Sequence, residues 1–200
     1  MREHDIAEEE EDRKSPLVYI AALFIVFLLS AGLFPYYYLK ADPEPSVIVE
    51  IDDLPLPAGL NASQDRTLLR PSDPYIKTIA TRIATAGCDS EKICQAKAQY
   101  YFVRDRFTYV SEYEDYIETP EEMMLSRGGD CDDHAVLLAN LLRAIGIYTE
   151  FVNVPRHLYV KAYLPDAPSK YTDKYGWIYL DPTCKSCDFG QIQSRYVVDR

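Results

Sequence analysis

Two hundred residues with 48% hydrophobic content suffice for one domain with its own core plus an added segment, and exclude two large domains. The formal net charge of -11 argues against a general nucleic-acid binder, which carries a basic face to neutralise phosphates.

Residues 1–14, MREHDIAEEEEDRK, hold seven acidic and three basic side chains and nothing that forms a core, so they are predicted to be a disordered tail with His4 solvated. Residues 15–39 contain no charge, and Leu17 to Phe34 are almost wholly apolar. These 25 residues are long enough to cross a hydrocarbon layer of ~30 Å and are predicted to be a transmembrane helix. Ser30, Ala31 and Gly32 offer small residues for signal-peptide cleavage, but the leader lacks the basic character and short apolar region of a signal peptide. Tyr36, Tyr37 and Tyr38 suit the membrane–water interface. Arg2, Arg13 and Lys14 precede the span and only Lys40 follows within about twenty residues, which predicts a cytoplasmic tail and an extracellular domain.

Residues 40–73 include Pro43, Pro45, Pro55, Pro57 and Pro71. That spacing forbids a continuous helix and predicts a proline-rich stalk. Val47 to Ile51 is β-favouring and suits a short strand against the domain. Asn61-Ala62-Ser63 is a glycosylation sequon. The domain is predicted over 74–200. It begins with a helix carrying Tyr75, Ile79 and Ile83 on one face, then a second over 90–106 with Ile93, Ala96, Tyr100, Val103 and Phe107 in register. Thr119-Pro120-Glu121-Glu122 combines an N-cap, a proline at the first helical position and a glutamate at the third. It predicts a short helix ending at about Ser126. Gly128-Gly129 then permits a tight turn or a close approach of backbone or substrate.

The segment RGGDCDDHAVLLANLLRAIG follows, with Asp130 as N-cap, Asp133 closing a capping box and Gly146 as the stop. Ala135, Leu138, Leu142 and Ile145 recur at helical spacing among further apolar residues, which predicts a central helix buried nearly all round. Cys131 falls at its first position, where free backbone N–H groups favour a thiolate. Asp130, Asp132 and Asp133 oppose this by crowding the sulfur with negative charge. Alternating patterns at Tyr148 to Val154, His157 to Leu164 and Trp177 to Asp181 then predict antiparallel strands. The intervening loop, centred near residue 170, predicts a hairpin that brings His157 beside Asp181.

A lone cysteine usually reads as a core residue, but the order Cys131, His157, Asp181 points elsewhere. The runs GGDCDDHAVLLANLLRAIGI, RHLYVKAYL and GWIYLDPT resemble the transglutaminase-like superfamily over about residues 75–185. The resemblance implies an α+β, papain-like domain with a central helix packed on an antiparallel sheet, and a Cys-His-Asp triad. In that chemistry His157 takes the thiol proton, and Asp181 orients and stabilises the imidazolium. His157 and the helix start are expected to outweigh the aspartates. His134, three residues after Cys131, is a rival base on a neighbouring helix face. The Cys131 backbone N–H is expected to serve an oxyanion hole, with Tyr100, Tyr101 and Tyr109 as possible second donors. Trp177 matches the superfamily pattern, whereas Tyr159 stands where the family often has tryptophan.

Cys88, Cys94, Cys184 and Cys187 fit two local disulfides, a structural zinc site or a redox-active pair, with disulfides favoured outside the membrane. A metal site at Asp130, Asp132, Asp133 and His134 is a weaker idea, because consecutive helical residues diverge. No cofactor is expected. The resulting expectation is a membrane-anchored amide hydrolase or acyltransferase acting through a thioester on a peptide, protein or cell-envelope substrate. A protein-crosslinking transglutaminase and a catalytically silent scaffold are the alternatives.

Overall fold

The computed structural model describes residues 16–38, 42–57, 68–111 and 116–193. The predicted tail, the Asn61 sequon, Lys40 and the side chains of Tyr36 to Tyr38 lie outside the described residues. Two units are present, residues 1–40 and 41–200. The first holds helix α1, Pro16–Tyr38. Its side chains are described to Ser30, and Leu17, Phe24 and Phe27 are all exposed. Among the described residues no helix is long and apolar enough to cross a membrane.

In the second unit the described part of the predicted stalk is folded onto the domain. Val49, Ile51 and Leu54 join the hydrophobic core, with a 3-10 turn at Ile51–Asp53. Each such burial contributes about 2 kcal/mol, and prolines that forbid a helix do nothing to prevent it. The predicted strand at Val47 to Ile51 does not form. Its backbone is tied instead by the Arg106 guanidinium, which donates to the carbonyls of Ile48 and Val49, both at 3.1 Å. Ser46 N–H donates to Gly87 O at 2.9 Å. Gly87 is required there, because a Cβ would come within 2.6 Å of the Val47 backbone. Lys97, fully buried, reaches Asp42 at 2.6 Å and also pairs with Glu44.

Helices α2 (Pro74–Ala86) and α3 (Lys92–Arg106) follow as the apolar spacing predicts. Asp73 caps α2 through its carboxylate, which accepts from Tyr75 N–H and Ile76 N–H. After β1 (Thr108–Tyr109), helix α4 (Pro120–Ser126) begins with the predicted capping box between Thr119 and Glu122. Strand β2 (Gly128–Gly129) pairs in parallel with β1. Helix α5 (Cys131–Ala144) is the central element: α2, α3 and α4 pack against it, as do the strands β3 (Thr149–Val154) and β4 (His157–Tyr163). Ala135, Leu137, Leu138, Leu141 and Leu142 are buried on it. With β5 (Trp177–Leu180) the sheet has the order β3-β4-β5, antiparallel throughout. The β3–β4 turn, Pro155-Arg156, places Arg156 at φ 62°.

Candidate active site

Cys131 sits where β2 turns into α5. The turn is built by the predicted capping box: Asp130 accepts from Asp132 N–H at 2.9 Å, and Asp133 Oδ2 accepts from Asp130 N–H at 2.8 Å. Asp133 Oδ1 also accepts from Glu118 N–H at 2.7 Å, so this buried carboxylate faces backbone donors. Gly129 leaves it room, since a Cβ there would lie 2.5 Å from Asp133 Oδ2. The Cys131 sulfur is half-buried and faces the backbone N–H of Leu158, the residue after His157 on β4. The helix start is thereby delivered to the beginning of β4.

The hairpin supplies the other two residues. Tyr163 pairs with Trp177 and Val160 with Leu180, a register centred on residue 170 as predicted. Continued by one residue, it sets Asp181 opposite Tyr159, so that His157 is a diagonal neighbour on the same face. His157 Nε2 lies 3.0 Å from Asp181 Oδ2. The other carboxylate oxygen accepts from Thr183 Oγ1 at 2.8 Å and from Thr183 N–H at 3.2 Å. Thr183 was not singled out from the sequence, although its place two residues after an aspartate is a common turn signal. The Asp181 side chain is fully buried. Burial alone would raise its pKa, but the hydrogen bonds from His157 and Thr183 outweigh it and hold the carboxyl below its ordinary value.

The thiol departs from expectation. Its pKa is pushed up to about 11, first by burial and then by Asp132 and Asp130, against the Leu158 N–H, which favours the thiolate. Asp132 Oδ1 accepts from the thiol at 3.4 Å. Burial is the first cause and the two carboxylates add to it, so the thiol is drawn toward its protonated form. Sequence reading identified these charges but not the direct Asp132 contact, which depends on the rotamer at a helix start.

His134 turns one ring nitrogen to the backbone. Its Nδ1 lies 2.7 Å from Asp130 O, and its buried ring sits against Phe107 and Tyr109. Burial lowers its pKa. The proposed four-residue metal cluster does not assemble, because Asp133 and His134 turn to backbone groups. Asp130, Cys131 and Asp132 remain close, with donor atoms within 4.8 Å of one another. Of the three tyrosines, Tyr100 is fully buried, and its hydroxyl lies 3.0 Å from Cys187 O and 3.3 Å from Asp181 O. The Tyr101 hydroxyl accepts from Phe189 N–H at 3.4 Å. Tyr109 is half-exposed and registers with Gly129, two residues before Cys131. Trp177 stacks with Tyr148 and Tyr163 under Lys161 Nζ, away from the sulfur end of the hairpin. The remaining cysteines form disulfides Cys88–Cys94 and Cys184–Cys187, leaving Cys131 free. Four sulfurs paired in this way are not a zinc site.

A free cysteine opens a buried helix that packs on an antiparallel sheet carrying a histidine–aspartate pair, within an α+β domain. Residues 77–182 match the transglutaminase-like superfamily, and the chain belongs to that family. No curated protein sequence matches the chain. Among solved structures, it is similar to a candidate cysteine protease from Cytophaga hutchinsonii, with 20% identity, TM-score 0.42, and coverage of 55% of this chain and 37% of that one. The periplasmic domain of TgpA from Pseudomonas aeruginosa gives 17% identity and TM-score 0.43, covering 59% and 46% respectively. Legionella pneumophila LapG gives 19% identity and TM-score 0.40, covering 56% and 65%. The chain thus spans less than two thirds of each of these structures.

Proposed function

We propose that this chain is a membrane-anchored cysteine amide hydrolase in which Cys131 is the nucleophile, His157 the base and Asp181 the group that orients it. The observation that carries the reading is the His157 Nε2 to Asp181 Oδ2 hydrogen bond, formed where the start of α5 brings the sulfur to Leu158. With Nε2–H donated to Asp181, Nδ1 holds the lone pair that accepts the thiol proton. That proton moves as sulfur attacks the amide carbonyl.

The tetrahedral oxyanion forms beside the Cys131 backbone N–H at the helix start, with the half-exposed Tyr109 as the candidate second donor. The imidazolium returns its proton to the leaving amine, leaving a thioester on Cys131. His157 then takes a proton from water, whose oxygen attacks the thioester, and the acid is released with the thiol restored. Asp130 and Asp132 make the approach to the sulfur polar, which supports water over an amine as the acyl acceptor.

The exposed apolar side chains of α1 support an anchor, with residues 1–14 cytoplasmic and the domain outside. In that arrangement the substrate is an extracellular peptide or an envelope polymer bearing amides. The test incubates the full chain in detergent with a mixed peptide library, with and without a primary amine, using Cys131→Ala as the blank. Cleaved or deamidated peptides that persist with the amine support hydrolysis. Dominant amine-adducted glutamines make the chain a crosslinking transglutaminase, and no Cys131-dependent product makes it a silent scaffold. Protease added to intact cells reports topology: shielding of the domain overturns the outward placement.

A further inference from the structure

Asp181 begins a segment whose backbone is held more tightly than its length requires. Cys184 N–H donates to Asp181 O at 3.2 Å, and Cys187 N–H donates to Cys184 O at 3.0 Å, so residues 181–187 form two successive turns. The Cys184–Cys187 disulfide closes the second turn. Helix α3 then grips both ends. The Tyr100 hydroxyl is shared between Asp181 O and Cys187 O, and Arg104 Nη1 donates to Cys187 O at 2.7 Å. Between them Lys185 Nζ donates to the carbonyls of Arg104 and Phe107.

A disulfide closing so short a loop removes little freedom from the unfolded chain compared with one closing a long loop. Its main effect is local, on the turn that follows Asp181. Tyr100 is likewise poorly explained by packing alone. Its ring meets Phe189 edge-on, which phenylalanine would also do, whereas the hydroxyl ties the carbonyl of Asp181 to that of Cys187. Asp181 itself is fixed from both sides, with its carboxylate on His157 and Thr183 and its carbonyl on Cys184 and Tyr100.

We propose that the Cys184–Cys187 disulfide and Tyr100 are positioning elements for Asp181, holding the backbone of the turn so that the carboxylate stays on His157. The proposal rests on the Cys131, His157 and Asp181 reading above. The other disulfide, Cys88–Cys94, joins the start of α3 to the loop after α2 and has no contact with this turn among the described bonds; it serves as an internal control.

The test follows acylation of Cys131 by p-nitrophenyl acetate in the full chain in detergent, as a function of pH, with Cys131→Ala as the blank. Asp181→Asn and His157→Ala define the profile of a site without its base. Tyr100→Phe and the double variant Cys184→Ser/Cys187→Ser are expected to lower the imidazole-dependent limb about tenfold, a part of the ~10²–10⁴ that general-base catalysis supplies. Cys88→Ser/Cys94→Ser is expected to retain the wild-type profile. Urea midpoints and circular dichroism identify variants that fail to fold, and Tyr100→Phe, which keeps the ring, carries the test if the cysteine pair is such a case. A folded Tyr100→Phe or Cys184→Ser/Cys187→Ser with the wild-type profile overturns the positioning role while leaving the triad intact. An equal loss in the Cys88/Cys94 variant overturns it too, by showing a general stability effect. Wild-type profiles for Asp181→Asn and His157→Ala overturn the triad reading, and the positioning role with it.

Discussion

His157 Nε2 and Asp181 Oδ2 are 3.0 Å apart across 24 residues of sequence, as diagonal neighbours on one face of the β4–β5 hairpin. Their contact follows from hairpin register, and Thr183 holds the second carboxylate oxygen so that the first faces the imidazole. Asp181→Asn keeps the volume but introduces an amide whose NH₂ can turn toward Nε2 and favour the wrong tautomer. It is expected to reduce Cys131-dependent acylation by ~10²–10⁴ and to lower the urea midpoint by the stabilisation that the ionised carboxylate supplies. Stopped-flow release of p-nitrophenolate measures the first and fluorescence the second. Retention of wild-type acylation would remove Asp181 from the proposed mechanism.

Asp132 acts on the thiol in the opposite sense. Burial is the main cause of the raised Cys131 pKa, but the Asp132 charge and its hydrogen bond from the thiol add to it. Asp132→Asn is therefore expected to bring the thiol down from about 11, and each unit multiplies the thiolate fraction about tenfold near neutral pH. The wild-type chain is expected to react slowly with iodoacetamide at neutral pH, contrary to what the helix start alone suggests, and the variant faster. Equal rates in the two proteins would show that burial alone sets the pKa.

Acid should destabilise the domain through Asp181 and Asp42. For both, burial raises the pKa and hydrogen bonds more than offset it: from His157 and Thr183 to Asp181, and from Lys170, Lys97 and Tyr171 to Asp42. Folded values below the ordinary 3.8 mean that this stabilisation is fully present above that value and is lost as pH falls through the folded pKa. Urea titrations at descending pH should show the loss, and Asp42→Asn should flatten part of it. An unchanged slope in Asp42→Asn would count against the Asp42 contribution.

The Lys97 clamp gives an asymmetric expectation. Lys97 is fully buried, whereas Asp42 and Glu44 retain 24% and 59% of their side-chain exposure. Removing both acids by Asp42→Ala/Glu44→Ala leaves a buried ammonium with Tyr171 but no counter-charge and is expected to cost about 3–5 kcal/mol. Lys97→Met keeps most of the volume and leaves two acids that water can reach, so its cost is expected to be smaller. Urea unfolding of the three proteins measures the order, and a larger loss in Lys97→Met would reverse the argument.

Gly129→Ala probes the start of α5. The added Cβ would sit 2.5 Å from Asp133 Oδ2 and 2.7 Å from Asp133 Cβ, so the carboxylate must leave the Asp130 and Glu118 N–H groups. The loss of these two buried hydrogen bonds, one of them half of the capping box, is expected to cost about 2–4 kcal/mol. A denaturation midpoint equal to wild type would show that the turn relaxes without losing the capping box.

Local order determined what the sequence shows by itself. The capping boxes at Thr119–Glu122 and Asp130–Asp133 join residues three positions apart, and the apolar spacing of α2, α3 and α5 is a helical period. The hairpin centre at residue 170 follows from the length of two alternating runs, which is why His157 and Asp181 were legible as a pair. The short spacings of the cysteines likewise left local disulfides among the alternatives. Tertiary structure decided what depends on distant chain segments meeting. Residues 42–57 fold onto the domain because Val49, Ile51 and Leu54 find apolar partners and Lys97 finds Asp42, contacts that no local pattern encodes. Tyr100 is withdrawn from the oxyanion role because its hydroxyl meets carbonyls more than eighty residues away, at Asp181 and Cys187. The environment of the Cys131 thiol depends on tertiary structure too: His157 and the helix start were expected to outweigh the aspartates, whereas burial and the contact with Asp132 raise the pKa.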